Sequence, residues 1–221
     1  MDHSGRRLTL SFDNGPSPDV TPGVLDVLAD FRLRASFFVC GKDATGSERR
    51  GILERAKREG HRLGNHTQTH SVELGASDDP DAPEREIGAA QAALGDLAEP
   101  ARWFRPYGAG GVLGPRLLSP GAVRYLCEGG YSCVLWNSVP RDWEDPTGWP
   151  ERALRDLAAC DWTLLVLHDL PTGAMAALPG FLARVVGEGV EITHALPPAC
   201  VPIRRGARVG PLDGLVRDQA P

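Results

Sequence analysis

The chain has 221 residues, 42% of them apolar and 24% charged, the proportions of a globular protein with a core of its own, which excludes wholesale disorder, a coiled coil or a collagen-like repeat. A net charge of -5 at pH 7 argues against a nucleic-acid partner, which calls for a basic face. The longest apolar runs, such as Thr163 to Leu167, fall far short of the roughly 20 residues of a membrane span, so none is expected.

In chain order, Met1 to Arg7 lead into a short strand without the apolar stretch of a signal peptide. The expected location is therefore cytoplasmic for the chain as given, or secreted if a leader was trimmed. Leu8 to Phe12 alternates like a strand and breaks at Asn14-Gly15-Pro16. Thr21-Pro22 opens a helix with Thr21 as N-cap and Val24, Leu25, Val27 and Leu28 as its stripe. Ser36 to Cys40 is a second strand, Ser47 to Glu59 a charged helix stopped by Gly60, and His61 to Gly64 a weak third strand. Asp81 with Glu84 resembles a capping box for a helix reaching Leu97.

Arg102 to Arg105 is a short strand before a Gly- and Pro-rich loop from Pro106 to Pro115. Ser119-Pro120 starts a helix that ends at Gly129-Gly130, and Tyr131 to Asn137 is a strand. Pro150 to Ala159 is a helix, Trp162 to Leu167 a buried strand, Leu178 to Val186 a helix and Val190 to Thr193 a last strand. The five cysteines (Cys40, Cys127, Cys133, Cys160, Cys200) form no Cys-x-x-Cys pair and read as small apolar residues rather than a zinc ribbon or a disulfide framework.

Strands alternating with helices predict a parallel sheet with crossover helices. The fold class is α/β: a single-domain distorted (β/α) barrel of about seven parallel strands. The catalytic domain is expected over residues 1–200, with 201–221 as an irregular, Pro-, Gly- and Arg-rich tail. In such a barrel, chemistry sits just past the carboxyl ends of strands. Polar groups occupy five of these positions: Asp13-Asn14, His66 with His70, Arg105, Asp142 and His168.

Each motif also has a purely structural reading. His66-Thr67-Gln68-Thr69-His70, on a helical turn, puts two imidazoles on one face for one cation, or is an incidental pair. It is not a zincin helix, because Thr67 stands where the catalytic Glu would be. Asp13-Asn14-Gly15-Pro16 is a general base beside an oxygen ligand, or an ordinary turn. Phe104-Arg105-Pro106-Tyr107-Gly108 could be a turn with a salt-bridged Arg. Trp136 to Trp143 could be aromatic packing, and His168 a satisfied core residue.

Taken in order, Phe12-Asp13-Asn14-Gly15-Pro16, His66-x-x-x-His70, Arg105-Pro106-Tyr107-Gly108, Asp142-Trp143 and Leu167-His168-Asp169 resemble the polysaccharide deacetylases, the NodB-homology domain of carbohydrate esterase family four. The resemblance spans Leu8 to Pro197. It implies a metal-dependent hydrolase that removes an acetyl group, a linear amide, from an N-acetylated sugar or glycan. Asp13 is then the base and Asn14, His66 and His70 sit at the ligand positions of one divalent metal, zinc in the first place. Arg105 keeps Asp13 ionised, the backbone N–H of Tyr107 helps bind the oxyanion, and Asp142 orients His168, the acid. Trp143 and Val166 line the pocket for the sugar face and the acetyl methyl.

Two positions depart from the family pattern. Asn14 stands where the family has Asp, and Arg105-Pro106-Tyr107-Gly108 is one residue shorter than Arg-Pro-Pro-aromatic-Gly. Two alternatives therefore stay open: a catalytically weak or silent sugar-binding relative, and a cyclic-amide hydrolase of the same barrel.

Overall fold

The computed structural model describes residues 5–218; Met1 to Ser4, part of the segment read for a leader, and residues 219–221 lie outside the described residues. The strands are β1 (Arg7–Asp13), β2 (Ser36–Val39), β3 (Arg62–Asn65), β4 (Trp103–Phe104), β5 (Ser132–Cys133), β6 (Trp162–His168), β7 (Glu191–Ile192), β8 (Ile203–Arg204) and β9 (Ala207–Arg208). The α-helices are α1 (Thr21–Asp30), α2 (Ser47–Arg58), α3 (Ala89–Leu94), α4 (Pro120–Glu128), α5 (Trp149–Ala159) and α6 (Leu178–Gly187). The α/β class with mainly parallel strands, expected from the alternation, is the class observed. No helix among the described residues is long and apolar enough to cross a membrane.

The residues group into two compact units, each assembled from three separate stretches of chain. The first comprises Met1–Phe37, Ser47–Arg62 and Trp136–Pro197. Its centre is β1, parallel to β6 along its whole length from Arg7↔Trp162 to Asp13↔His168, and also parallel to β7. Both faces of β1 are covered, and its apolar side chains Leu8, Leu10 and Phe12 are buried. The intervening Thr9 and Ser11 are buried too, so their hydroxyls need partners: Thr9 Oγ1 donates to Ala195 O (2.7 Å) and Ser11 Oγ to Leu165 O (2.8 Å). Trp149 at the start of α5 is fully buried and donates Nε1–H to Ala174 O at 3.0 Å.

The second unit comprises Phe38–Gly46, Leu63–Leu135 and Pro198–Pro221. Here β3 is parallel to β4 and β4 to β5, whereas β8 and β9 run antiparallel, β8 against β5 and β9 against β8. Helix α4 starts as expected, with Ser119 Oγ accepting the Ala122 N–H at 3.1 Å and Pro120 in the first turn.

Four local expectations are corrected. Thr21 is the first residue of α1, not its cap; its hydroxyl accepts the Ser17 N–H (2.7 Å) and donates to Asp169 Oδ2 (2.5 Å). The helix expected from Asp81 to Leu97 divides into a widened π-turn over Glu84–Gly88, the short α3 and a 3-10 turn over Gly95–Leu97. No capping box forms, because the Asp81 N–H is taken by Asp79 Oδ1 at 2.9 Å. The strand expected over Tyr131 to Asn137 forms a ladder only at β5, although Val134 N–H still reaches Phe104 O (2.8 Å) and Leu135 N–H reaches Cys200 O (2.7 Å). The tail read as irregular carries β8 and β9, joined through Arg205-Gly206, both at positive φ. The cysteines are free, with Cys40, Cys133 and Cys200 buried.

Two histidines hold the backbone of Ala35, the residue before β2. Ala35 N–H donates to His61 Nδ1 at 3.1 Å, and His194 Nε2–H donates to Ala35 O at 3.0 Å. The first requires a neutral His61, whose Nδ1 accepts, whereas the second is donated by a neutral or a charged His194. Burial lowers both pKa values, against Glu59 for His61, and together with the Arg62 charge it brings His194 down to about 4. Below the ordinary value of 6.5 the unfolded chain therefore binds protons that the folded chain refuses, so stability falls as pH falls from 6.5 towards 4. Chemical unfolding of wild type and His194→Gln across this range should show a shallower fall in the variant, whose amide still offers a donor; equal slopes would exonerate His194.

Candidate active site

In the first unit the chemistry gathers where β1 and β6 end. Their parallel register puts Asp13 beside His168, the last residue of each strand. Asp142, in the loop before α5, is fully buried and takes two hydrogen bonds from His168: the backbone N–H to Oδ2 (2.9 Å) and the ring Nδ1–H to Oδ1 (2.8 Å). A carboxylate only accepts, so this contact fixes Nδ1 as the protonated nitrogen and turns Nε2 away from Asp142. Burial pulls the pKa of His168 down, yet the hydrogen bond and charge of Asp142, helped by Asp13 and Asp169, outweigh it and raise the pKa above the ordinary value. Trp143 sets its ring edge-on to His168 at 4.7 Å, with the Arg141 guanidinium 5.4 Å from the Trp143 ring centre. Val166 lies within β6, buried, its N–H donated to Ser138 O at 2.9 Å.

Asn14 follows Asp13 in the left-handed region, at φ 80°. Gly15 must lack a side chain, because a Cβ there would overlap the carboxylate of Asp169. Asp169 is fully buried, and burial, opposed by the Thr21 hydrogen bond, pushes its pKa up to about 6. Asp169 thus ties the turn after β1 to the start of α1, a role that the Leu-His-Asp motif did not reveal.

In the second unit, His66 follows β3 and is buried, and His70 closes the turn after it. That turn is not helical: Thr67 and His70 adopt φ 64° and 55°. The expected helical spacing is corrected, yet the rings stand only 4.9 Å apart. His66 Nδ1 lies 2.9 Å from Arg105 O. A carbonyl only accepts, so Nδ1 carries the proton and Nε2 carries the lone pair a cation would use. Tyr107, expected to act through its backbone, packs its ring against His70 at 4.4 Å. Arg105 is fully buried, with its Cζ 3.8 Å from the Phe38 ring centre and donors 3.3 Å from Val134 O and Leu135 O.

Asp13, Asn14, Asp142, Trp143, Val166 and His168 thus belong to one unit, and His66, His70, Arg105 and Tyr107 to the other. Sequence reasoning missed Glu86, whose buried carboxylate accepts from the turn between the two histidines. Nothing in the local pattern marks it, since an exposed charged helix looks the same. Among the described residues, no group of three or more His, Cys, Asp and Glu side chains could hold a metal ion.

The sequence model of the polysaccharide deacetylases matches residues 1–112, just over half of the chain. A chitooligosaccharide deacetylase of Bradyrhizobium sp. (strain ANU 289) is 31% identical over 220 residues, covering 97% of this chain and 93% of that protein. A second chitooligosaccharide deacetylase, of Sinorhizobium fredii (strain NBRC 101917 / NGR234), is 37% identical over 141 residues, 62% of this chain and 60% of that relative's length. A solved structure, T48 deacetylase with substrate, shares the fold with a TM-score of 0.68 at 26% identity, covering 85% of this chain and 87% of that one. The full-length match and the shared fold lead to one assignment: this chain belongs to the polysaccharide deacetylase family.

Proposed function

We propose that the chain hydrolyses the acetamido group of an N-acetylated amino sugar or short glycan, releasing acetate and a free amine. The observation that carries this reading is the acid: His168, held by a fully buried Asp142 through a 2.8 Å hydrogen bond and kept protonated more readily than a free imidazole. The names of the two relatives, both chitooligosaccharide deacetylases, support the substrate class.

Amide hydrolysis needs a base for water, donors for a tetrahedral oxyanion and a proton for nitrogen, a poor leaving group. Asp13 takes the proton from water. His168 gives the proton on Nε2 to the departing amine, while its Nδ1–H stays with Asp142, which stabilises the imidazolium before transfer. By family resemblance, Arg105 serves the base and the backbone N–H of Tyr107 the oxyanion. Trp143 offers a ring to the sugar face and Val166 an apolar wall to the acetyl methyl.

The imidazole pair suits a divalent cation, zinc first: both ligands are nitrogen, and the Arg105 carbonyl holds the tautomer that leaves His66 Nε2 unprotonated. By family resemblance, Asn14 stands at the third ligand position, offering a neutral amide oxygen. A bound ion supplies Lewis-acid polarisation of the carbonyl and lowers the pKa of water. One observation favours a second reading, a silent sugar-binding relative: Asn14 brings no negative charge to the cation. Metal analysis of the purified chain, together with acetate release from N-acetylglucosamine oligomers, separates the two. Stoichiometric metal with acetate supports the enzyme; neither supports the binder.

Three variants test the assignments. Asp13→Asn should lower kcat at least about 100-fold, the scale of a general base, while zinc affinity stays within about threefold; near-normal turnover would remove Asp13 from the role. Asp142→Asn should move the alkaline limb of kcat/KM to lower pH, because His168 then loses the charge that raises its pKa. A limb that stays in place would break the proposed pair. Asn14→Asp should tighten zinc binding at least tenfold, about 1.4 kcal/mol, in chelator-competition titrations, and equal affinities would exclude position 14 as a ligand.

A further inference from the structure

The turn between His66 and His70 leaves the helical conformation, so its backbone amides must find acceptors outside a helix ladder. All four N–H groups end on side-chain oxygens. Thr67 N–H goes to Asn65 Oδ1 (2.9 Å) and His70 N–H to Thr67 Oγ1 (3.1 Å). The two central ones, from Gln68 (3.1 Å) and Thr69 (2.9 Å), both go to Glu86 Oε2. The other oxygen of Glu86, Oε1, accepts the Thr69 hydroxyl at 2.8 Å. On the far side of the turn, Gly41 N–H and Lys42 N–H donate to the carbonyls of Thr67 (2.9 Å) and Gln68 (3.0 Å).

Glu86 is only 4% exposed, a burial that a carboxylate tolerates when its lone pairs are filled by donors. Its approach depends on the widened π-turn over Glu84–Gly88 that replaces the expected regular helix. Such single-turn widenings shift the side chains that follow them around the helix axis and are frequent at functional sites. A second tie comes from the same place: Ile87 O accepts Asn65 Nδ2–H at 2.8 Å, and Asn65 immediately precedes His66. Residues 86 and 87 thus hold the histidine turn at its beginning and its middle.

We propose that Glu86 is the positioning residue of the imidazole pair, its three hydrogen bonds to Gln68 and Thr69 fixing the separation and aim of His66 and His70. It touches neither substrate nor cation; it acts through the backbone of the turn. The zinc part of the test rests on the proposed function, whereas the ring geometry can be read in metal-free protein.

Three variants decide the question. Glu86→Ala removes all three acceptor contacts. Glu86→Gln keeps one oxygen for the two amides, and its NH2 can donate to Thr69 Oγ1, whose own proton can turn to Ser71 Oγ, 2.7 Å away. Thr69→Val deletes one contact at an exposed position and serves if Glu86→Ala does not fold. In metal-free wild type, ring-to-ring NOEs are expected between His66 and His70 and between His70 and Tyr107. Glu86→Ala should lose them and weaken zinc binding at least tenfold with its circular dichroism unchanged, while Glu86→Gln should keep the NOEs and bind zinc within about threefold of wild type. Thr69→Val should weaken zinc about threefold. NOEs and affinity unchanged in Glu86→Ala, or in Thr69→Val where that variant stands in, would overturn the proposal. So would Glu86→Gln falling as far as Glu86→Ala, since charge rather than hydrogen bonding would then be at work. If wild type takes up no zinc, the proposed function fails and the NOE comparison alone decides the role of Glu86.

Discussion

A fully buried carboxylate beside the end of a strand has few permitted arrangements, and Asp142, in the loop before α5, occupies one of them. Its two oxygens are taken by the backbone N–H and the ring N–H of one residue, His168. The backbone bond places the loop relative to β6, and the ring bond then fixes both the rotation and the tautomer of the imidazole. Because β6 is in register with β1 over seven residues, the same constraint determines which residue of β1 stands beside that imidazole: Asp13. The raised pKa of His168 follows from this arrangement, since burial alone would lower it.

A related economy runs through both units. Where the backbone leaves regular structure, buried side-chain oxygens take over its donors. Asp169 meets the Thr21 hydroxyl and crowds Gly15 in the turn after β1. Glu86 does the equivalent for the turn after β3, with three acceptor contacts. Each follows its turn in sequence, by 154 residues for Asp169 relative to Gly15 and by 18 for Glu86 relative to Gln68. Loss of either carboxylate would strand buried donors, at a cost of about 1–3 kcal/mol per group.

This distance in sequence explains what could be read from the residues alone. The apolar pattern made β1, β6 and most of the helices between the strands legible, since apolar residues alternate in Leu8 to Phe12 and run unbroken from Leu164 to Leu167. The ordered motifs singled out Asp13, His66, Arg105 and His168, which lie at or just past the ends of β1, β3, β4 and β6, with His70 four residues beyond His66; Asp142 lies instead in the loop before α5. Glu86 escaped notice, since its neighbours Glu84 and Arg85 are exposed and only the widened turn brings position 86 inside. The helical reading of His66 to His70 failed for the same reason: spacing of four suggests a helix, but Thr67 and His70 take positive φ because external acceptors make an irregular path affordable. The strands β8 and β9 are two residues each, too short for any periodicity to register.

Asn14 illustrates how a family departure can be neutral to the fold and consequential to the chemistry. At φ 80° the backbone there is left-handed, a conformation that Asn and Asp both adopt more readily than other side chains. Exchanging one for the other therefore asks nothing of the turn, of Gly15 behind it, or of the Asp169 carboxylate packed on that glycine. The two side chains also match in size and in offering an oxygen. What changes is charge, and its effect is confined to whatever that oxygen touches. A neutral donor binds a cation less tightly than a carboxylate, but it also withdraws less of the ion's positive charge from the other groups around it. In the proposed metal-binding reading, Asn14 thus weakens retention of a metal while leaving a retained metal more polarising. In that reading activity depends on metal supply as well as on fold, which is why Asn14 by itself does not decide between the enzyme and the silent binder.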